Sequence, residues 1–172
     1  MDRLKLKFSK SFLIKDFKNC PEGEGIYFHY INDNGNNRII YVGECLSFPL
    51  RQKEHYSYHD KFRYSLFEIE NGDLNIKYIP DYDSPENYHN LKEELKNKIY
   101  VICGEFEIKP SCSFKEIEGA IINYLYRNSE TRKFLLNTRT NYLLRNTEII
   151  FEGLDIKLNG LPEKITTPSR NL

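Results

Sequence analysis

The sequence has no tryptophan, a single methionine and no long apolar run. Its longest apolar stretches, Phe134-Leu135-Leu136 and Ile149-Ile150-Phe151, fall far short of the ~20 residues that a membrane-crossing helix needs. The opening MDRLKLKFSKSF lacks the apolar core of a secretion signal. Nine glycines and seven prolines, without period, exclude a collagen-like chain. Four cysteines (Cys20, Cys45, Cys103, Cys112) show no CxxC spacing, so neither a disulfide framework nor a zinc ribbon is expected. These absences predict a soluble, cytoplasmic protein with reduced thiols.

An excess of either charge is also missing. Lys+Arg and Asp+Glu are 25 each, so nucleic-acid binding cannot be read from the total. Distribution says more. Arg3, Lys5, Lys7, Lys10, Lys15 and Lys18 make the N-terminal stretch basic, and Arg127, Arg132, Lys133, Arg139 and Arg145 do the same later. Between them, residues 68–94 are acidic. A basic face for phosphates is compatible with a neutral total, although a charge run alone is ordinarily solvated surface.

With 172 residues, of which 40% are hydrophobic, the chain suits one domain. Leu4, Leu6 and Phe8 alternate with lysines, predicting a short strand or extended arm. Residues 25–31 and 38–45 are rich in β-branched and aromatic side chains and flank Asp33-Asn34-Gly35-Asn36-Asn37, a turn signal, so they read as a hairpin. Pro49 suits the first turn of a helix over 48–58, which puts Arg51 and His55 four apart on one face. Residues 62–69 and 74–78 around Asn71-Gly72 read as a second hairpin. Ser84-Pro85 opens a helix to about residue 97, with Tyr88, Leu91 and Leu95 apolar. A strand over 100–108 follows. Ser113 and Glu116 then form a capping box before a helix with Ile117, Ile121, Ile122 and Leu125 on one face. A shorter helix is expected over 130–136, a final hairpin over 148–158 around Gly153, and a frayed end. The fold class expected is α+β, a small central antiparallel sheet flanked by helices.

Taken singly, the chemical residues have plain readings. Tyr27 and Tyr41 are two of 13 tyrosines, and Arg51 and His55 suit a solvated helix face. His55 and His59 have metal-ligand spacing but no third ligand nearby in sequence. Glu118 differs, because it borders the predicted buried side of its helix and the cap does not account for it.

Two tripeptides stand on the arms of the first hairpin: Gly25-Ile26-Tyr27 and Tyr41-Val42-Gly43. With Arg51 and His55 on the next helix, Glu118 on a later one and Asn137 beyond it, this ordered set resembles the GIY-YIG nuclease family, with Val42 in place of the usual isoleucine. The resemblance covers residues 25–137. It implies a GIY-YIG-like core at 23–140, an inserted hairpin and helix at 60–98, and a C-terminal extension at 141–172. It also implies catalytic roles for Tyr27, Tyr41, Arg51, His55, Glu118 and Asn137, with Glu118 as ligand of Mg²⁺ or Mn²⁺. Asn141 is the second candidate for the family asparagine. Whether Tyr27, Tyr41 or His55 is the base stays open.

The chemistry suits these residue types. Arg51 offers a planar fork for the scissile phosphate, Glu118 a hard oxygen for a divalent cation, and the phenols and imidazole carry protons. The function implied is a DNA endonuclease acting on double-stranded DNA, most similar to type II restriction enzymes and a homodimer where its site is palindromic. A structure-specific repair or mobile-element nuclease, or a non-catalytic nucleic-acid-binding module, are the other readings. The basic N-terminal arm and residues 127–145 are the expected DNA contacts, and the acidic 60–98 insertion a scaffold or dimer element.

Overall fold

The computed structural model describes residues 1–60, 66–77 and 85–169. The chain is α+β, built on a mixed eight-stranded sheet. The strands are β1 (Asp2–Phe8), β2 (Phe12–Leu13), β3 (Gly25–Asp33), β4 (Asn36–Cys45), β7 (Tyr100–Phe106), β8 (Thr147–Glu152), β9 (Leu158–Asn159) and β10 (Lys164–Thr166). Their order is β10-β8-β1-β7-β3-β4-β9, with β2 added to β7. Strands β5 (Leu66–Glu70) and β6 (Asp73–Lys77) form a separate hairpin. The helices are α1 (Phe48–Asp60), α2 (Pro85–Lys96), α3 (Phe114–Arg127) and the four-residue α4 (Ser129–Arg132). A 3-10 segment, Ile14–Asn19, follows β2.

Alternation along β3 sorts the core into two faces. Ile26, Phe28 and Tyr30 meet Ile117, Ile121 and Leu125 of α3. Tyr27 and Ile31 belong to the opposite cluster, with Ile14, Phe48 of α1, Phe67 of β5, and Leu91 and Leu95 of α2. Helix α3 starts where the capping residues predict: the Ser113 side chain accepts from the Glu116 N–H. Strands β3 and β4 pair in antiparallel register through the Asn34-Gly35 turn, where both residues have positive φ.

Several expectations are corrected. The sheet is not purely antiparallel, because β8 runs parallel to β1, and β9 parallel to β4. Gly153 does turn the chain (φ 74°), but no hairpin closes over 148–158. Residues 158–159 pair with β4 instead, and β8 takes β1 and β10 as neighbours. Alternation assigns a residue to a face and is silent about which strand lies alongside. The tail is not frayed through residue 167: Ile165 is 3% exposed in the core, and Thr167 and Thr147 exchange hydrogen bonds. Strand β1 is no free arm but lies between β7 and β8, with Arg3 against Glu148 and Lys5 against Glu107 and Glu152. The helix expected over 130–136 stops at Arg132, because Leu136 leaves it to bond the Ile40 carbonyl of β4. The parts of the second hairpin expected at 62–65 and at Tyr78, the Ser84 cap, and the side chains of His59 and Tyr88 lie outside the described residues.

Among the described residues no helix is long and apolar enough to cross a membrane. The four cysteines are free thiols, with the Cys20 and Cys103 sulfurs 4.0 Å apart.

If β10 is part of the core, Ile165→Ala will cost about 2–4 kcal/mol, the usual loss for a buried large-to-small change. Urea unfolding measures this, and a midpoint equal to wild type would mean that the tail contributes no packing.

Candidate active site

The site grows from the pairing of β3 with β4. Tyr27 lies directly opposite Gly43, and His29 opposite Tyr41, so all four share one sheet face. A Cβ on Gly43 would fall 2.2 Å from the Tyr27 hydroxyl and Cζ, so the absent side chain is the space the ring occupies. Gly25 is constrained from the other side. Its φ is 147°, and a Cβ there would sit 2.3 Å from the Gly104 carbonyl oxygen. Both motif glycines therefore have a steric cause.

Helix α1 lies on this face and brings its own residues to Tyr27. The Tyr27 hydroxyl is 2.7 Å from His55 Nε2 and accepts from Arg51 Nε at 3.2 Å. Tyr27 is wholly buried and His55 nearly so. The His55 ring meets Tyr27 and Tyr41 edge-on, each at a centroid distance of 5.5 Å. Arg51 also donates to Glu54 at 3.0 Å. Burial of the guanidinium opposes its charge, but the Tyr27 phenol and the Glu54 carboxylate outweigh it and hold Arg51 above the ordinary arginine range. Its side chain is 33% exposed, so the cation remains open to solvent.

Glu118 belongs to α3, which packs on the opposite sheet face. The outward backbone groups of β4 alternate along its edge. The Ile40 carbonyl accepts from Leu136 N–H, and Asn137 clamps Val42 by accepting from its N–H (2.7 Å) and donating to its carbonyl (2.9 Å). The Glu118 carboxyl is close enough to feel the Glu44 carboxylate and the Glu44 backbone N–H. Asn137 thus bonds the strand between Tyr41 and Gly43, while Asn141 is exposed on the far side of Gly119.

Electrostatics tie Glu118 to the tyrosines. Burial and the nearby Glu44 carboxylate push the Glu118 carboxyl up to about 7, against the pull of the Glu44 N–H, Lys115 and Arg51. The Tyr41 phenol is raised by burial first and by Glu118 second, with Arg51 and Tyr27 acting the other way. Tyr27, Tyr41, Arg51 and His55 therefore gather in one cluster, with the Glu118 charge in range of Tyr41 and Arg51 and with Asn137 holding the strand that carries Tyr41. Among the described residues no trio of His, Cys, Asp and Glu is clustered as a metal cage. A magnesium ion held through one or two carboxylates and its own waters does not require one, and the crowded Glu44–Glu118 pair supplies that donor type.

Sequence reasoning missed His29, Gln52 and Glu44. His29 Nε2 lies 2.8 Å from Gln52 Oε1, and its ring meets His55 at 4.7 Å. The signal for His29 was its place two residues after Tyr27, on the same face. No comparable signal marked Gln52, because nothing in its spacing distinguishes it from a solvated helix residue. Compared with known proteins, the chain matches no family model, no curated protein and no solved structure.

Two outcomes test this geometry. Gly43→Ala should cost about 1–3 kcal/mol in chemical denaturation, since the added methyl has no room beside Tyr27. Unchanged stability would show that the ring can step aside. The second concerns pH. Folded Glu118 holds its proton more tightly than the unfolded carboxyl near 4.5, so its stabilising contribution is full below 4.5 and is lost as pH rises to about 7. Glu118→Gln does not titrate, and its thermal midpoint should therefore gain on wild type across that window and hold its advantage above it. A difference independent of pH would place Glu118 at its ordinary value.

Proposed function

We propose that this chain is a metal-dependent DNA endonuclease of the GIY-YIG type, most similar in layout to type II restriction enzymes. The observation that carries the reading is the Tyr27 hydroxyl held between His55 Nε2 and Arg51 Nε, over the gap left by Gly43. A buried phenol in contact with both a cation and an imidazole is a group arranged to pass a proton. Few structural needs call for that combination.

The roles divide by chemistry. Arg51 faces solvent on one side and Tyr27 on the other, so its fork binds a phosphate while lowering the cost of negative charge on the phenol oxygen. Tyr27 and His55 share a hydrogen bond through which a proton leaves the attacking water. Tyr41, whose phenol feels the charges of both Glu118 and Arg51, would hydrogen-bond the phosphoryl oxygens. Asn137 keeps β4 in register and is a positioning residue in this scheme. Glu118, with Glu44 behind it, would hold Mg²⁺ or Mn²⁺, which when bound supplies Lewis-acid stabilisation of the departing 3′-oxygen. Cleavage would leave a 5′-phosphate and a 3′-hydroxyl. Double-stranded DNA is the substrate this reading requires, and a homodimer would cut both strands of a palindromic site.

The test is cleavage of supercoiled, linear and branched DNA with Mg²⁺. Wild type should cut, EDTA should stop it, and Arg51→Ala and Glu118→Gln should each lower the rate at least about 100-fold, as loss of a charge-stabilising group does. Because proton and cation compete for Glu118, the Mg²⁺ needed for half-maximal rate should rise about tenfold per unit of falling pH below 7 and level off above it. Discrete fragments from a duplex sequence favour a restriction role, and selective cutting of branches a repair role. A folded wild-type protein that cuts none of these substrates would sink the nuclease reading.

A further inference from the structure

Away from Tyr27 and Glu118, a polar groove of about 600 Å³ runs between the end of α3 and the segment that follows α4. Arg127, Arg139 and Arg145 line it, with Asn123, Tyr142 and Ser169. The arginines are positioned by their surroundings. Asn123, 6% exposed, accepts from Arg139 Nε at 3.0 Å and donates to the Gly119 carbonyl. Arg145 donates to the Leu144 carbonyl at 2.9 Å, and its guanidinium lies 5.4 Å from the Tyr142 ring centroid. Among the described residues, none of the three has a carboxylate within ion-pair distance, whereas Arg3, Lys5, Lys133 and Lys164 all do. A second cavity of about 510 Å³, between the β5–β6 hairpin and α2, shows the reverse character, with Asp33, Glu68, Glu70 and Glu94 in its lining.

Three arginines without carboxylates, in one polar groove, complement a polyanion with regularly spaced charges. Helix geometry separates this groove from the site. Glu118 and Arg127 are nine residues apart, on opposite flanks of α3 and about 13 Å apart along its axis. We infer that the Arg127–Arg139–Arg145 groove holds the sugar-phosphate backbone of duplex DNA at a second contact, distinct from the phosphate that Arg51 binds. This inference rests on the nuclease reading for its choice of DNA. It also explains how a chain with zero net charge would present a cationic surface to DNA.

Fluorescence anisotropy with a 30-base-pair duplex in EDTA, over a range of salt, tests it without any need for turnover. Replacing all three arginines by alanine should reduce the salt slope by about 3 and weaken binding roughly 100-fold at 0.1 M salt. The thermal midpoint should fall only by what the lost Arg139 bond to the buried Asn123 costs, and the fold should persist, because all three side chains are exposed. Lys98→Ala, which removes a cation paired to Glu94 on the acidic side, should leave the slope unchanged. Cleavage assays then separate the two readings. A wild type that binds DNA through the groove and cuts nothing supports the groove and overturns the nuclease. A wild type that cuts DNA while the triple variant keeps its slope and affinity overturns the groove alone. Preference for single-stranded RNA over the duplex would overturn the choice of ligand.

Discussion

The arrangement depends on one steric fact, the missing Cβ at Gly43 directly across the ladder from Tyr27. In an antiparallel pair, directly opposed residues share a face, and here the tyrosine ring occupies space that any other residue on β4 would fill. That placement aims the phenol at α1, where Arg51 and His55 meet it. Gly25 makes the matching concession toward β7, letting the strand approach the Gly104 carbonyl. Two glycines, each forced by a neighbour, thus set the depth and direction of a buried phenol.

The second constraint is the open edge of β4. Beyond Arg38, where β9 ends, the outward N–H and C=O groups of this strand have no partner strand among the described residues. Unpaired backbone groups next to a core are costly, and the chain answers with Leu136 and Asn137 in turn. The same need cuts α4 short, since Leu136 and Asn137 cannot both continue a helix and bond β4.

Charge is distributed by the same logic. The basic N-terminal strand neutralises acidic neighbours on β8 and beside β7, so its lysines and arginines serve the sheet. Residues 139–145 follow α4, and their arginines, with no ion pair among the described residues, face an open groove. Equal totals of positive and negative charge conceal this division, because pairing depends on which strands lie side by side.

The sequence alone determined the local pieces. The Asn34-Gly35 turn, the alternation of β3 and β4, the Ser113 cap and the spacing of Arg51 and His55 are all short-range, set by backbone sterics and hydrogen bonds within a few residues. On those pieces, it was the resemblance of the ordered set to the GIY-YIG family that singled out Tyr27, Tyr41, Arg51, His55, Glu118 and Asn137 as residues to watch. The α+β class was legible for the same reason, while the mixed sheet was not. Only tertiary structure decided that β8 would run parallel to β1, that residues 164–166 would join the sheet, and that Glu118 would come within electrostatic range of Tyr41 and Arg51. It also decided that His29 and Gln52 would support His55, and that Glu44 would press the Glu118 carboxyl toward its protonated form. Each of these turns on which distant segments become neighbours. Period and propensity tell a residue which way to face, but only the packed chain settles what it will find there.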